Sequence, residues 1–436
     1  MPRKKSSTWS ANWQMILKTF VREAEQVAQT QQRQRVLSVE NLVQSLVLGS
    51  LKTSKASLGD LCQVARDLGV NITKSSMNDR LTARVVMLLA DIVERCMRQK
   101  LARPALTLTK LHIFTSVMII DSSQITLPSC LYPAFRGNGT NAKMKVQVGY
   151  DYLQGNVQLL DCQAGRTSDQ KSQIIEALMV EKGLLLFDMG YFEQTRLANI
   201  TQAGAYFVTR CRSQVGLYDP ETGQKIELVD ILKRTRLPVF EGTFLLGRKT
   251  RTPVRVMARK VDAATAASRK RHARRRADKQ KQTCTARHLK WLEWEILVTN
   301  LPDEWSVEDL FILYGIRWQI EIVFRVWKSE LGIADYGEWR AERVMCQFYA
   351  RLIGAILCHQ TFGWIRACTH PLLSLAKTVK LIRHHLPALL TVIRKQWRTL
   401  PQWTQRVSQA LLTHGLHDKR KTTPTTVQHL IDWGLT

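Results

Sequence analysis

From about Trp13 to Lys100 apolar residues recur at the 3.6-residue spacing of amphipathic helices, with Gly and Ser/Thr breaks near 49–57 and 69–76. That pattern predicts a bundle of four or five helices. Within it, Leu61–Val70 carries Ala65 followed four positions later by Gly69, and a polar segment, Thr73–Arg80, comes next. This is the spacing of a helix-turn-helix, in which a small residue lets the helices cross and glycine makes the turn. Plain helical bundles also contain Ala-x-x-x-Gly, so a DNA-reading helix and a packing helix are both readings of it. At Leu111 the pattern changes. His112–Ile120 is β-branched and apolar and predicts a strand ending at Asp121. Lys143–Tyr152 and Asn156–Leu160 alternate around Leu153-Gln154-Gly155, as a hairpin does. A helix over Asp169–Val180 and a short, fully apolar strand, Leu184–Phe187, ending at Asp188, are expected next.

Residues 205–300 break this rhythm with short strand-like runs (Ala205–Arg210, Thr243–Leu246, Val254–Ala258, Glu295–Thr299) and turns such as Asp219–Gly223. They read as a β-rich insertion. Inside it, eight of the fifteen residues of Ala267–Lys281 are Lys or Arg, which predicts a solvated, flexible loop able to touch phosphates. From Ser306 onward the chain reads as helical, with a basic, Trp-bearing tail. Five segments result: a helical domain with the candidate DNA-reading helix over 1–110, an α/β core over 111–210, the β-rich insertion with its basic loop over 211–300, the core's last helix over 301–345, and a helical C-terminal region over 346–436.

Charge narrows the partner. The 436 residues hold 64 Lys+Arg against 36 Asp+Glu, a formal net charge of +28. Such a surplus repels itself unless a polyanion neutralises it, so nucleic acid is the expected partner, with anionic membrane second. Nine cysteines, odd in number and without a Cys-x-x-Cys pair, argue against a disulfide scaffold and a zinc finger. Met1–Lys5 is followed by polar residues, and Leu352–Ile365 is too short and too polar to span a bilayer; a soluble, cytoplasmic protein working at the nucleoid is expected.

Chemistry concentrates in Tyr314–Lys328. Counted as one helix at 100° per residue from Tyr314, Arg317 falls at about 300°, Glu321 at about 340°, Arg325 at about 20° and Lys328 at about 320°. All five share a face, and Ile316, Ile320, Val323 and Trp327 share the other. An amphipathic helix with a solvated charged face gives the same pattern. So do turns and caps for the two aspartates, Asp121 before Ser122-Ser123 and Asp188 before Met189-Gly190. Taken together, three carboxylates among cations suit two Mg2+ ions, with Mn2+ as a substitute, since two hard cations about 3.5–4 Å apart drive phosphodiester displacement. Asp121 would bridge the ions, and Asp188 and Glu321 would each close one side.

Tyr314-x2-Arg317-x3-Glu321-x6-Lys328 resembles, without a gap, the signature of bacterial DDE transposases of the insertion-sequence-four type. Asp121 and Asp188 resemble the first two acids of that family's triad, and the long gap from Asp188 to Glu321 is similar to the family's β-insertion. The resemblance implies an RNase H-like catalytic core with a β-rich insertion, flanked by all-α N- and C-terminal regions. It implies cut-and-paste transposition: metal-dependent cleavage at double-stranded transposon ends bearing terminal inverted repeats, then strand transfer to target DNA by a homodimer on paired ends. Tyr314, Arg317 and Lys328, with Arg325 beside them, take the role of holding DNA-end phosphates. Trp294, near Trp291, is similar to a tryptophan that holds a flipped base, although a buried core residue is the more ordinary reading of its place. Arg210, closing Tyr206–Thr209, resembles a basic residue that contacts DNA, and a simple strand-end Arg is its other reading. A structure-selective nuclease on the same core, which would need only the three carboxylates, and a non-catalytic DNA-binding derivative are the rival functions.

Overall fold

The computed structural model describes residues 7–28, 37–98, 105, 110–368 and 372–418. The basic start, Met1–Lys5, and the end of the first bundle at 99–100 lie outside them. The described residues form two compact units, one from 1–109, 122–167 and 318–436 and the other from 110–121 and 168–317. They cut across the five segments because packing joins stretches far apart in sequence. Among the described residues there are ten strands: β1 (Val117–Thr126), β2 (Lys143–Asp151), β3 (Asn156–Ala164), β4 (Leu184–Phe187), β5 (Tyr206–Arg210), β6 (Leu217–Tyr218), β7 (Lys225–Ile226), β8 (Val239–Leu246), β9 (Thr252–Lys260) and β10 (Trp294–Thr299).

In the first unit, the bundle of the expected kind holds helices over Val39–Lys52, Leu58–Asp67, Lys74–Asp79 and Ala83–Arg98, preceded by a helical run from Ser7 to Ala28. Ser38 caps Val39–Lys52, and Ser57 with Asp60 forms a capping box at Leu58–Asp67, satisfying first-turn N–H groups that would otherwise lack partners. Gly49 does not break its helix. It lies inside Val39–Lys52, where a Cβ would come within 2.6 Å of the Leu61 side chain, so the glycine permits close helix approach. Gly69, at φ +94°, makes the turn between Leu58–Asp67 and Lys74–Asp79. The 28-residue helix Ala341–Cys368 is buried along most of its length and packs on Val39–Lys52 and Ala83–Arg98. Trp9 and Trp13 meet Trp403 of the Leu400–His414 helix, with ring centroids 5.7 and 5.3 Å away. The antiparallel hairpin β2–β3, turned at Gly155 (φ +66°), lies beside β1 in the strand order.

In the second unit, β1, β4 and β5 are parallel neighbours, followed by β10, β9, β8, β6 and β7, with antiparallel pairing from β5 to β10 onward. Every residue of β4 is buried, as a parallel strand covered on both faces requires. Three parallel strands, an antiparallel hairpin and flanking helices constitute an RNase H-like α/β core, and β6–β10 are the β-rich insertion.

Four expectations change. Strand β1 starts at Val117 and continues past Asp121 to Thr126, because only its first four residues pair with β4 and the chain stays extended beyond them. The helix expected over Asp169–Val180 shrinks to a 3-10 turn at Asp169–Lys171 and a short α-helix, Ile174–Leu178. The basic run is ordered: it belongs to a helix, Ala263–Lys279, whose N-cap is Asp262. An alanine-rich first turn favours helix, Lys270 pairs with Glu293 at 2.7 Å, and Arg269 donates to the Trp294 carbonyl at 3.3 Å. Finally, Tyr314 and Lys328 are not on one helix. Val307–Gly315 ends in a tight turn in which Ile316 and Arg317 N–H groups reach back three residues, and a new helix, Trp318–Ser329, begins. Glycine at the last position and the i→i+3 bonds end the first helix there.

Candidate active site

Strand register builds the site in the second unit. Ile120 pairs with Phe187, the last registered pair of parallel β1 and β4, so Asp121 and Asp188 follow side by side just past the end of that pairing. Phe187 likewise pairs with Thr209 on β5, which brings Arg210 to the same level. An aspartate, an aspartate and an arginine therefore stand in a row where the parallel pairing of the three strands ends.

The end of the Val307–Gly315 helix and its turn supply the cover. Arg317 Nη1 donates to Asp121 Oδ2 at 3.1 Å, with both side chains mostly buried. The Tyr314 hydroxyl lies 3.5 Å from Asp188 Oδ1. The Tyr314 ring is flanked by two guanidiniums, those of Arg210 and Arg317, each 5.7 Å from its centroid. Burial pushes the Tyr314 phenol well above its ordinary value, partly opposed by the two arginines, so the hydroxyl keeps its proton as a donor. Past Asp188, the Arg212 guanidinium donates to the Met189 carbonyl at 2.9 Å and steadies the loop. A cleft of about 360 Å³ lined by Met189, Gly190, Arg212, Ser213 and Gln214 opens beside it. Deeper in, Arg196 donates to Glu176 at 2.7 Å and to the carbonyls of Tyr191, Gln170 and Ser172, tying the Asp188 loop to the segment before it.

In the first unit, the Trp318–Ser329 helix buries Ile320, Val323, Phe324, Val326 and Trp327 and turns Glu321, Arg325 and Lys328 away from that core. Partial burial holds the Lys328 ammonium below the ordinary lysine value, although its side chain is exposed. Tyr314 thus departs from the expected exposed face and is 6% exposed. Trp294 lies within β10 at 4% exposure, the core position that was its other reading. Trp291 instead lines a cleft of about 640 Å³ together with Arg276, Arg287 and His288.

Paired carboxylates of this sort are hard oxygen donors that suit a divalent cation such as Mg2+. Among the described residues no group of three or more His, Cys, Asp or Glu side chains comes together in metal-holding geometry. The donors Asp121 and Asp188 fit such an ion, and Arg317 neutralises one of them meanwhile. Sequence reasoning missed Glu295 and Arg259. Glu295 accepts from Arg210 and from Arg259 at 3.2 and 3.0 Å, and its only sequence signal was a lone charge in an apolar strand.

Residues 112–357 match the family model described as the transposase DDE domain. The chain is 25% identical over 416 residues to the transposase for insertion sequence element IS231E of Bacillus thuringiensis subsp. finitimus, covering 89% of this chain and 87% of that one. It is 28% identical over 267 residues, 56% of each chain, to the transposase for insertion sequence element IS1151 of Clostridium perfringens. A solved piggyBac transposase synaptic complex with hairpin DNA aligns with 94% of this chain and 84% of its own at a TM-score of 0.45 and 10% identity.

Proposed function

The chain belongs to the transposase DDE domain family, its activity is DNA transposition, and from that premise we propose a cut-and-paste route with Asp121, Asp188 and Glu321 as the acidic triad. The observation that carries the reading is the register of β1 and β4, which sets Asp121 beside Asp188 with the Arg317 and Tyr314 side chains on them. Two Mg2+ ions held by the three carboxylates would supply activation of the attacking oxygen and charge neutralisation on the phosphate.

The chain's own residues do the rest. Arg317 offers a planar fork that fixes a phosphate of the DNA end in orientation, whereas Lys328 and Arg325 add charge from the next helix. The Tyr314 hydroxyl, protonated throughout, donates a hydrogen bond beside Asp188 and holds the end in register. In the first step a water oxygen bonds to phosphorus and the 3′-oxygen at the transposon end leaves. The freed 3′-hydroxyl then attacks the opposite strand or a target phosphodiester, forming one P–O bond as another breaks. A homodimer pairs the two ends, each bearing a terminal inverted repeat, before cleavage, and the element's own chromosome in the cytoplasm is the place of action. Among the described residues no helix is long and apolar enough to cross a membrane.

The test is cleavage of labelled DNA carrying the terminal repeats in Mg2+. Asp121→Ala, Asp188→Ala and Glu321→Ala should each abolish strand cleavage with DNA binding retained. Cleavage that persists in any of the three removes that residue from the triad.

A further inference from the structure

Strand β10 is buried except at Glu295, and a carboxylate in such a strand is costly unless charged partners satisfy it. The partners here are specific. Glu295 stands opposite Arg259 on β9, and Arg210 of β5 stands opposite Leu297, two residues along, so all three side chains share one face of the sheet. Glu295 is 17% exposed and divides its oxygens, Oε1 to Arg210 at 3.2 Å and Oε2 to Arg259 at 3.0 Å. Each arginine in turn covers one aromatic ring of the Val307–Gly315 helix. Arg259 lies 4.1 Å from the centroid of Phe311, and Arg210 5.7 Å from that of Tyr314. The Arg210 Nε is buried with no hydrogen-bond partner, so its pairing with Glu295 through Nη2 sets the plane of the guanidinium.

We propose that Glu295 is a positioning residue for end cleavage: through Arg210 it presses the Tyr314 ring into place and so fixes the Tyr314 hydroxyl beside Asp188. This rests on the reading of Tyr314 and Asp188 as site residues. Without the carboxylate, Arg210 and Arg259 repel each other, Arg210 turns toward solvent, and the ring loses one of its two flanking cations. Charge balance points the same way. Paired with Glu295, the two arginines present one net positive charge rather than two, which limits DNA held off register near the site.

The test uses the full chain as Glu295→Gln, Glu295→Asp, Arg210→Ala and the Glu295→Gln/Arg210→Ala double variant. Single-turnover cleavage of labelled terminal-repeat DNA should fall about tenfold to a hundredfold in Glu295→Gln, the size expected of a misplaced group. Glu295→Asp should recover part of it, and the double variant should be no slower than Arg210→Ala alone, because both changes act on one contact. The 19F resonance of 3-fluorotyrosine at position 314, assigned with Tyr314→Phe, should shift in Glu295→Gln and not shift further on that change in the Arg210→Ala background. Cleavage within twofold of wild type, losses that multiply in the double variant, or an unmoved resonance would overturn the proposal. If wild-type protein cleaves no ends, the transposition reading fails while the resonance still decides the role of Glu295.

Discussion

Arg317→Ala should bind a divalent cation more tightly than the wild type and yet cleave DNA ends less well. The reason lies in the 3.1 Å contact between Arg317 Nη1 and Asp121 Oδ2, in which the two side chains are 11% and 22% exposed. With charge centres roughly 4 Å apart and an effective dielectric of about 20, the attraction is about 4 kcal/mol. Desolvation of both groups cancels much of it, leaving about 1–3 kcal/mol. A cation arriving at Asp121 in the absence of DNA must overcome that amount, which corresponds to about five- to 150-fold in affinity. Titration calorimetry of the full chain with Mn2+ and no DNA should therefore show Arg317→Ala as the tighter binder by a factor in that range. Urea unfolding without divalent ion should show it less stable by the same ~1–3 kcal/mol, since Asp121 and Asp188 then face each other with less countercharge. End cleavage should drop because the phosphate fork is gone. An Arg317→Ala protein whose Mn2+ affinity equals or falls below that of the wild type refutes the argument.

Other outcomes follow from features described above. Replacing Arg271, Arg274 and Arg275, all exposed on the Ala263–Lys279 helix, with Gln should weaken binding to every DNA about equally and flatten the salt dependence by about 0.9 per lost phosphate contact; a loss confined to terminal-repeat DNA would show that the helix reads sequence. Trp13→Ala should cost about 3–5 kcal/mol in urea unfolding, because its indole is fully buried against Trp9 and Trp403 and donates to Thr361 at 3.1 Å. Ser57→Ala should cost about 1 kcal/mol near neutral pH. Hydrogen bonds from Ser57 hold the Asp60 carboxyl below its ordinary value of 3.8, so this contribution is present above that pH and lost as pH falls below it. A Ser57→Ala penalty that is constant down to pH 2 would count against the capping box as its source.

The parts legible in the sequence were those with a strong local signal. Leu184–Phe187 is a run of four apolar residues closed by Asp188, and it is β4 to the residue. The Asp219–Gly223 turn forms as composition suggests, with Asp219 accepting from the N–H groups of Glu221 and Thr222 and Gly223 at φ +67°. The misses have physical causes. A strand's length depends on its neighbour: β1 runs through Asp121, although nothing in Ser122–Gln124 looks strand-like. In the basic run the eight charges masked the helix-forming alanines and the two tethers at Arg269 and Lys270. At Gly315 a 3.6-residue pattern continued across an interruption of the helix, so periodicity joined what hydrogen bonding separates. Asp121 and Asp188 were legible as neighbours because each directly follows one of two paired apolar runs. Glu295 was not, since its meaning depends on cross-strand partners 36 and 85 positions away.

The tryptophan cluster of the first unit also has a consequence for how the protein is made. Trp403 is translated 390 positions after Trp13. At about 5–20 residues per second, Trp9 and Trp13 wait on the order of half a minute for the ring that buries them. Meanwhile the bundle also lacks Ala341–Cys368, the helix on which Val39–Lys52 and Ala83–Arg98 pack. A nascent or truncated chain thus exposes indoles to chaperones and proteases. Only a ribosome that has read past Trp403 has made a chain that can close its first unit, so a product cut short before that helix should be short-lived.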